Sequence, residues 1–296
     1  MRESASPHRF AYPALLLGNA ALAFGPWLVR LADTGPVAAG FWRLALALPF
    51  LWLLGRAVGQ PVHWPGRKMT IALAGAALFF AADLAAWHAG IRLTKLGNAT
   101  LFGNFASFAF AAYGLWLARK WPSRIQGIAL SLAAIGCAAL MAGSAELSAR
   151  HLRGDILALA AGLLYTGYLI IVERARGRLK PLPLLFLATL FGAAFLLPLS
   201  LVLGEQIIPR DWMPLFALAI ASQVVGQGLL VYALGHVPPL VVGLALLTQP
   251  AISAFIGWAV YGETLTPLDW SGAVGIAIAL VLVRLRDRKQ KAISQP

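Results

Sequence analysis

Ten long apolar runs, separated by short polar segments, are the feature that most limits what this chain folds into. Each run has about 17 to 23 residues, and a helix of that length crosses a hydrocarbon core about 30 Å thick at about 1.5 Å per residue. The runs cover approximately residues 10–31, 36–54, 69–91, 96–118, 125–141, 155–173, 182–203, 212–234, 240–261 and 268–285. The pattern predicts an all-α, multi-pass membrane protein with ten transmembrane helices in a lipid bilayer.

Composition agrees with a membrane protein, and the distribution of charge predicts its orientation. The chain is 60% hydrophobic and 12% charged, whereas soluble domains are about a quarter charged. With a cytoplasmic N-terminus, the inner segments hold 17 Lys and Arg residues and the outer segments hold 6. Because basic residues favour the cytoplasmic side, we expect both termini to be cytoplasmic in a bacterial inner (plasma) membrane. The net charge of +13 does not indicate nucleic-acid binding, because the basic residues punctuate the apolar runs instead of forming one face.

Matching residues recur at a spacing of 145 positions, which indicates two copies of one five-helix unit. The matched pairs are Pro36 and Pro181, Gly59 and Gly204, Gly90 and Gly235, Pro122 and Pro267, and Gly127 and Gly272. Since five is an odd number, the second copy enters the membrane from the opposite side. We predict a first repeat over residues 1–145 and a second, inverted repeat over residues 146–296. Inverted repeats are common in secondary transporters, which bind substrate near the midplane between the repeats.

The third run carries polar side chains at bilayer depth, where an ionisable group usually faces a protein interior or a watery path. Asp83 and Trp87 are four residues apart and share a helix face, with Phe79 one turn before them. A carboxylate beside an indole suits a cationic or zwitterionic substrate. His88 lies on an adjacent face and is a candidate ligand or proton carrier, because histidine changes charge near neutral pH. Alternatively, Asp83 pairs with Arg43 or His88 and only holds helices together.

Polar and aromatic side chains in other runs complete the predicted substrate site. They are Asn104, Tyr165, Gln223, Gln227, Tyr232 and Gln249. Amides at this depth need partners because hydrocarbon offers none, so they either line a polar cavity or join helices by hydrogen bonds. Arg43 is interpreted as a snorkelling or structural residue. Pro26, Pro250 and Glu263, each near a helix end or bend, are predicted to take part in gating.

Motifs for enzymes, cofactors and metals are missing from the sequence. It contains no GxxxxGK[ST], HExxH or GxSxG motif and no paired Cys and His at metal-binding spacing. We therefore expect no catalytic residues, no cofactor, no metal and no primary pump. A membrane enzyme or a lipid-handling scaffold with a structural cavity stays an alternative, and the sequence leaves open whether the chain is a monomer or a homodimer.

Two stretches resemble the EamA-type exporters of the drug/metabolite transporter superfamily. Residues 36–43, PVAAGFWR, match the pattern that opens the second helix of that family. Residues 231–272, VYALGHVPPLVVGLALLTQPAISAFIGWAVYGETLTPLDWSG, are similar to its second-half signature. The first half departs from the pattern, because Ala118 stands where Glu263 stands in the second half and Phe105 where Pro250 stands. A role for a first-half carboxylate at that position does not transfer to this chain.

The resemblance implies a central cavity formed mainly by the first, third, fourth, sixth, eighth and ninth transmembrane helices. The fifth and tenth helices would lie to the side and offer a surface for a dimer. It also implies the export of small amphiphilic solutes by alternating access, most often amino acids, aromatic ones included, and related metabolites. A broader exporter of drugs or quaternary cations is the alternative within transport.

Overall fold

Helices make up every regular element in the part of the chain that the computed structural model describes, which is residues 10–94, 99, 102–119, 121–142, 149–261, 267, 270–272, 274–279 and 281–282. In chain order they are α1 Ala11–Ala23, α2 Gly25–Leu31, α3 Pro36–Ala45, α4 Ala47–Ala57, α5 Arg67–Leu93, α6 Phe105–Ala118, α7 Arg124–Ala142, α8 Ala149–Ala175, α9 Pro181–Val202, α10 Met213–Leu218, α11 Gly228–Leu234, α12 Pro239–Leu246, α13 Thr248–Tyr261 and α14 Trp270–Ala279. A π-helical segment, Ala219–Gln227, joins α10 to α11. The predicted all-α class is confirmed for these residues.

Seven helical stretches are long and apolar enough to cross a membrane. They are Ala11–Leu31, Pro36–Ala57, Arg67–Leu93, His151–Ala175, Pro181–Val202, Met213–Leu234 and Pro239–Val260. Three shorter apolar helices, Phe105–Ala118, Arg124–Gly136 and Trp270–Ala279, fall on the other three predicted runs. The chain is therefore a multi-pass membrane protein. The count of ten spans and the inversion of the two halves stay predictions.

Four of the runs expected to be continuous are interrupted. The interruptions lie at Phe24, Leu46, Asn104 and Leu247. Proline accounts for three of them, because it has no N–H to donate to the carbonyl four residues earlier. Pro26, Pro49 and Pro250 follow the breaks at Phe24, Leu46 and Leu247 by two or three residues. The breaks free backbone groups inside the bundle, which a membrane protein tolerates only where protein or a water-filled cavity surrounds them.

The core between the helices is built from close aromatic and aliphatic packing. α5 lies along α8, and α9 packs against both α3 and α5. At the junction of α5 and α8, the rings of Phe80 and Tyr168 stack with their centroids 4.6 Å apart, and both residues are fully buried. Lipid tails are as apolar as the side chains they surround, so the hydrophobic effect does not drive helices together in a membrane. Close packing of this kind is therefore a main source of helix association.

Two turns join the halves of the chain in the same way. Gly59 and Gly204, exactly one repeat spacing apart, both have positive φ angles, of 68° and 62°, which glycine adopts without strain. The next residue in each turn reaches the start of a helix in the other half. Glu205 accepts hydrogen bonds from Val37 N at 3.2 Å and Ala38 N at 2.7 Å, and Gln60 Oε1 accepts one from Leu182 N at 3.4 Å.

Each of these side chains supplies an acceptor to backbone N–H groups that a helix start leaves without partners. Val37 and Leu182 are themselves one repeat spacing apart, so the two contacts are equivalent in both donor and acceptor. Gln60 follows the end of the Pro36–Ala57 span and Glu205 lies at its start. The two contacts are therefore about 33 Å apart, the length of that 22-residue span.

Candidate substrate-binding cavity

A cavity lies inside the bundle, beside the helix breaks at Phe24, Asn104 and Leu247. The free space between its side chains is about 660 Å³ with its open mouth included, and the centre of a water-sized molecule reaches about 70 Å³ of it. The structure brings seven of the predicted site and gating residues to its wall: Pro26, Asp83, Trp87, Asn104, Tyr165, Gln227 and Gln249. They come from both halves of the chain, so the cavity lies between the two predicted repeats.

Asp83, on α5, presents a carboxylate to the cavity. The residue is 8% exposed. Among the described residues, the carboxylate oxygens accept no hydrogen bond and have no cationic nitrogen within 4.0 Å. Buried carboxylates are normally paired or hydrogen-bonded, because removing a charge from water without compensation is costly. The unpaired carboxylate therefore leaves room for a ligand or water that carries positive charge or donates hydrogen bonds.

Arg43, on α3, also lines the cavity and is the side chain that the sequence interpretation placed elsewhere. It is 3% exposed, so it does not snorkel to the membrane surface. Its Nε donates a hydrogen bond to Oε1 of Gln223 at 3.3 Å, and Nε2 of Gln223 donates to Oγ1 of Thr189 at 2.9 Å. The guanidinium carbon lies 5.7 Å from the centroid of the Phe80 ring, close enough for a cation–π contact.

Aromatic rings form one side of the cavity. Tyr165 lies over Phe80 with centroids 6.2 Å apart, and its hydroxyl accepts a hydrogen bond from Nε2 of Gln227 at 3.0 Å. Trp87 is half-buried and lies against the backbone at Gly103, where an added Cβ would come within 3.0 Å of the indole Nε1. The rings give an apolar surface beside the charged groups, which suits an amphiphilic solute.

Small polar groups complete the wall. The hydroxyl of Ser222 and Oε1 of Gln227 are buried and have no hydrogen-bond partner among the described residues. Ser253, on α13, donates to the carbonyl oxygen of Ala23 at 3.2 Å, so it occupies one of the backbone groups that the break at Phe24 frees. Because unsatisfied buried polar atoms are rare in native proteins, the free groups at Ser222 and Gln227 mark positions for a ligand or water.

Four other predicted site residues lie away from the cavity wall. Nδ1 of His88 is 2.9 Å from the carbonyl oxygen of Pro36, at the interface of α5 and α3. Phe79 is 41% exposed and contacts the backbone at Gly167. Gln223 accepts a hydrogen bond from Nε of Arg43 without lining the wall itself, and the ring of Tyr232 lies 4.7 Å from that of His236.

The remaining predicted gating residues are only partly described. Pro250 lies in α13 close to the break at Leu247, and Glu263 lies outside the described residues. Within the described part of the chain, no group of three or more His, Cys, Asp or Glu side chains is arranged to hold a metal ion. Counting described residues only, the cavity wall offers one cation, one carboxylate, hydroxyls, amides and aromatic faces.

A polar, charged cavity at helix breaks is typical of membrane transport proteins, and comparisons with known proteins point to the same class. The profile of the EamA-like transporter family matches residues 152–285. An uncharacterized transporter of Bacillus subtilis, YwfM, is 24% identical over 291 residues, which are 98% of this chain and 88% of that protein. An uncharacterized transporter of Archaeoglobus fulgidus is 25% identical over 88% of this chain and 91% of its own length.

Two further matches concern a shorter segment and the fold. The threonine/homoserine exporter RhtA of Escherichia coli is 30% identical over 166 residues, which are 55% of this chain and 56% of that protein. One solved crystal structure, 14% identical in sequence, superposes with a TM-score of 0.74 over 94% of this chain and 97% of its own. The second half of the chain is therefore similar to the EamA-like transporter family, and most of the chain is similar to proteins named as transporters.

Proposed function

We propose that this transporter exports small amphiphilic solutes, with amino acids as the leading class, through the central cavity by alternating access. One observation carries the proposal: an unpaired carboxylate, Asp83, and a guanidinium, Arg43, line the same cavity beside aromatic rings. This combination suits a small molecule with charged and apolar parts. The similarity to a threonine/homoserine exporter over 55% of the chain supports the same class. The aromatic wall at Phe80, Trp87 and Tyr165 leaves room in the proposal for aromatic amino acids.

The two equivalent turns support the inverted repeat on which alternating access depends. In transporters built from inverted repeats, one repeat or bundle rocks against the other, which opens the site to either side in turn. The matching of Gly59 with Gly204 and of Gln60 with Glu205 extends the 145-residue spacing from sequence to hydrogen bonding. Because these contacts hold the Pro36–Ala57 span and α9 together near both ends, we assign the movement to the helices that are interrupted at Phe24, Asn104 and Leu247 instead.

The interrupted helices are suited to that movement. The breaks at Phe24, Asn104 and Leu247 all border the cavity, so small rotations there change its lining. Discontinuous helices form the substrate sites of several transporter folds. We propose an inner-membrane location with both termini cytoplasmic, in which α3 begins on the outer side, as the excess of basic residues on the inner side favours.

A quaternary-cation or drug exporter is the second candidate, and the placement of two wall residues favours it. Asp83 and Trp87 lie one turn apart and both line the cavity, a pairing that attracts cations through charge and the indole face. Arg43 opposes this reading, because a fixed positive charge in the same cavity repels a second cation.

Counterflow uptake into proteoliposomes separates the candidates. Vesicles containing the purified chain are loaded with unlabelled solute, and the entry of trace radiolabelled threonine, homoserine, phenylalanine or tetraphenylphosphonium is followed. We expect uptake of at least one amino acid above empty vesicles, and none of tetraphenylphosphonium. Uptake of the cation alone would move the function to the second candidate, and no uptake of any solute would refute transport of both classes.

A further inference from the structure

We propose that Arg43 holds the carboxylate of the solute and Asp83 its ammonium group, so that the cavity selects zwitterionic α-amino acids over molecules with only one of these charges. This inference rests on the proposed transport function and assigns a substrate-binding role to Arg43, which the sequence interpretation gave only a structural one. Its basis is the arrangement of hydrogen bonds around the two charged groups.

The guanidinium of Arg43 is anchored on one side and free on the other. Its Nε is used by Gln223, while the Nη groups have no hydrogen-bond acceptor among the described residues. Guanidinium groups bind carboxylates through two parallel N–H donors. An arginine that lines a cavity, with its Nε fixed and its Nη groups not used by the described residues, is suited to take a carboxylate from that cavity.

Two hydrogen bonds, from Arg43 to Gln223 and from Gln223 to Thr189, fix the orientation of the guanidinium. Nε2 of Gln223 donates to the hydroxyl of Thr189, so Oε1 of the same amide is left to accept from Arg43. Gln223 and Thr189 are both fully buried and belong to the second half of the chain, while Arg43 belongs to the first. Gln223 is therefore a positioning residue that keeps the charged end of Arg43 at the cavity wall.

Asp83 and Arg43 do not satisfy each other. Both line the cavity, yet no nitrogen of Arg43 lies within 4.0 Å of the Asp83 carboxylate. Two opposite charges buried side by side gain most by direct contact, because the surroundings screen them weakly. Here both side chains line the cavity without direct contact, and a solute with an ammonium and a carboxylate on one carbon offers the complementary charge to each.

The experiment measures binding, so that it does not depend on turnover. The full-length chain is purified in detergent, and ligand affinity is taken from the rise in its thermal unfolding temperature with ligand concentration. Two matched series are used as probes: threonine, 1-amino-2-propanol and 3-hydroxybutyrate, and phenylalanine, phenethylamine and 3-phenylpropionate. Each series compares the zwitterion with its amine and its acid.

The expected result is selective. The wild type binds at least one zwitterion more tightly than either of its singly charged analogues. Arg43→Gln weakens binding of the zwitterion by about 10- to 100-fold, the range for one lost charged hydrogen-bonding partner, and leaves binding of the amine equal or tighter. Asp83→Asn weakens binding of the zwitterion similarly and leaves binding of the acid equal or tighter.

Milder variants keep the test valid if Arg43→Gln or Asp83→Asn does not fold. Thr189→Val removes only the hydrogen bond that orients Gln223, and it lowers zwitterion affinity by about two- to five-fold with amine affinity unchanged; Thr189→Ser restores it. Arg176→Gln is the matched control, because Arg176 is partly buried and donates to the carbonyl oxygens of Val231 and Leu179 outside the cavity wall. It leaves the ratio of zwitterion to amine affinity unchanged.

Three outcomes would overturn the assignment. The first is equal binding of the amine and the zwitterion by the wild type. The second is a loss of affinity by the same factor for both in Arg43→Gln, and the third is no binding of a zwitterion in either series. The counterflow assay tells these failures apart from a failure of the proposed function. Counterflow of an amino acid without selective loss in Arg43→Gln leaves the transport function intact and removes only the role of Arg43.

Discussion

The two halves of the chain supply different chemistry to one cavity. The first half provides both charges, Arg43 and Asp83, beside the polar side chains of Asn104 and Ser107, whereas the described wall residues of the second half are all neutral. At the 145-residue spacing, Arg43 corresponds to Ala188 and Asp83 to Gly228, so neither charge has a counterpart. The cavity is therefore asymmetric in charge, and Gln223 of the second half orients Arg43 of the first.

A matching difference separates the two turns that join the halves. Glu205 offers a carboxylate to two N–H groups at the start of α3, whereas Gln60 offers a neutral amide to one N–H at the start of α9, over a longer distance. A negative charge at a helix N-terminus is also favoured by the helix dipole. The Glu205 contact is therefore the stronger of the two.

The largest expected effect comes from removing the charge of the first half at Asp83. Asp83→Asn lowers amino-acid counterflow by about 100-fold, because the solute loses a charged partner in a site of low dielectric. The amount of folded protein in the membrane stays at the wild-type level, since the substitution removes an unpaired buried charge. Counterflow and size-exclusion profiles of the two proteins measure both quantities.

Asp155→Asn is the matched control for this change. Asp155 accepts a hydrogen bond from the hydroxyl of Thr94 at 2.7 Å and lies outside the cavity wall. It leaves flux unchanged. Equal loss of folded protein and of flux in Asp83→Asn would instead mean that Asp83 serves only in packing.

Removing the indole of the first half has a smaller effect. Trp87→Ala lowers flux by about 10-fold, because the cavity loses an aromatic face while both charges stay in place. Trp116→Ala is the control, since Trp116 is 70% exposed on the outer surface of the bundle. Equal flux in Trp87→Ala and Trp116→Ala would remove Trp87 from the binding site.

The two turns are compared by thermal unfolding. Glu205→Ala lowers stability by about 1 to 2 kcal/mol, and Gln60→Ala by about 0.5 kcal/mol, in the range for loss of a helix-capping side chain. If the negative charge contributes, the loss of stability in Glu205→Gln lies between the losses in Gln60→Ala and Glu205→Ala. Gln206→Ala, an exposed neighbour, is the control. A larger loss in Gln60→Ala than in Glu205→Ala would reverse the proposed order.

The smallest effect is expected where the backbone limits the position of Trp87. In Gly103→Ala the added Cβ comes 3.0 Å from the indole Nε1, so the ring moves by a few tenths of an ångström and flux falls by about two- to five-fold. Gly75→Ala is the control, because nothing lies within 4 Å of a Cβ added there. Unchanged flux in both variants would show that the ring position is not critical.

Helical spacing in the sequence predicts part of the cavity wall, and it fails where the helix is not regular. Asp83 and Trp87, four residues apart in an α-helix, both reach the wall as expected. Gln223 and Gln227 have the same spacing, yet only Gln227 lines the wall. They lie in the π-helical segment Ala219–Gln227, where hydrogen bonds run from i to i+5 and four residues fall short of a full turn.

The sequence does not predict Arg43 as a cavity residue, for a different reason. An arginine inside an apolar run is normally expected to reach the membrane surface or to pair with an acid. Its position at the cavity depends on Gln223 and Thr189, which are 180 and 146 residues away in the chain. No local pattern contains a contact of that range. The same holds for the turn at Glu205, whose acceptor role depends on a helix start 167 residues away.

The most direct test of the zwitterion site is a distance measurement on the bound solute. The chain is labelled with ¹⁵N at all arginine side chains, reconstituted in bilayers and loaded with an amino acid that carries ¹³C in its carboxyl group. Rotational-echo double-resonance NMR then measures the distance from that carbon to the guanidinium nitrogens. We predict a contact within about 4 Å, as in a bidentate ion pair, that disappears in Arg43→Lys. A bound amino acid with no such contact, or a contact that persists in Arg43→Lys, would contradict the assignment.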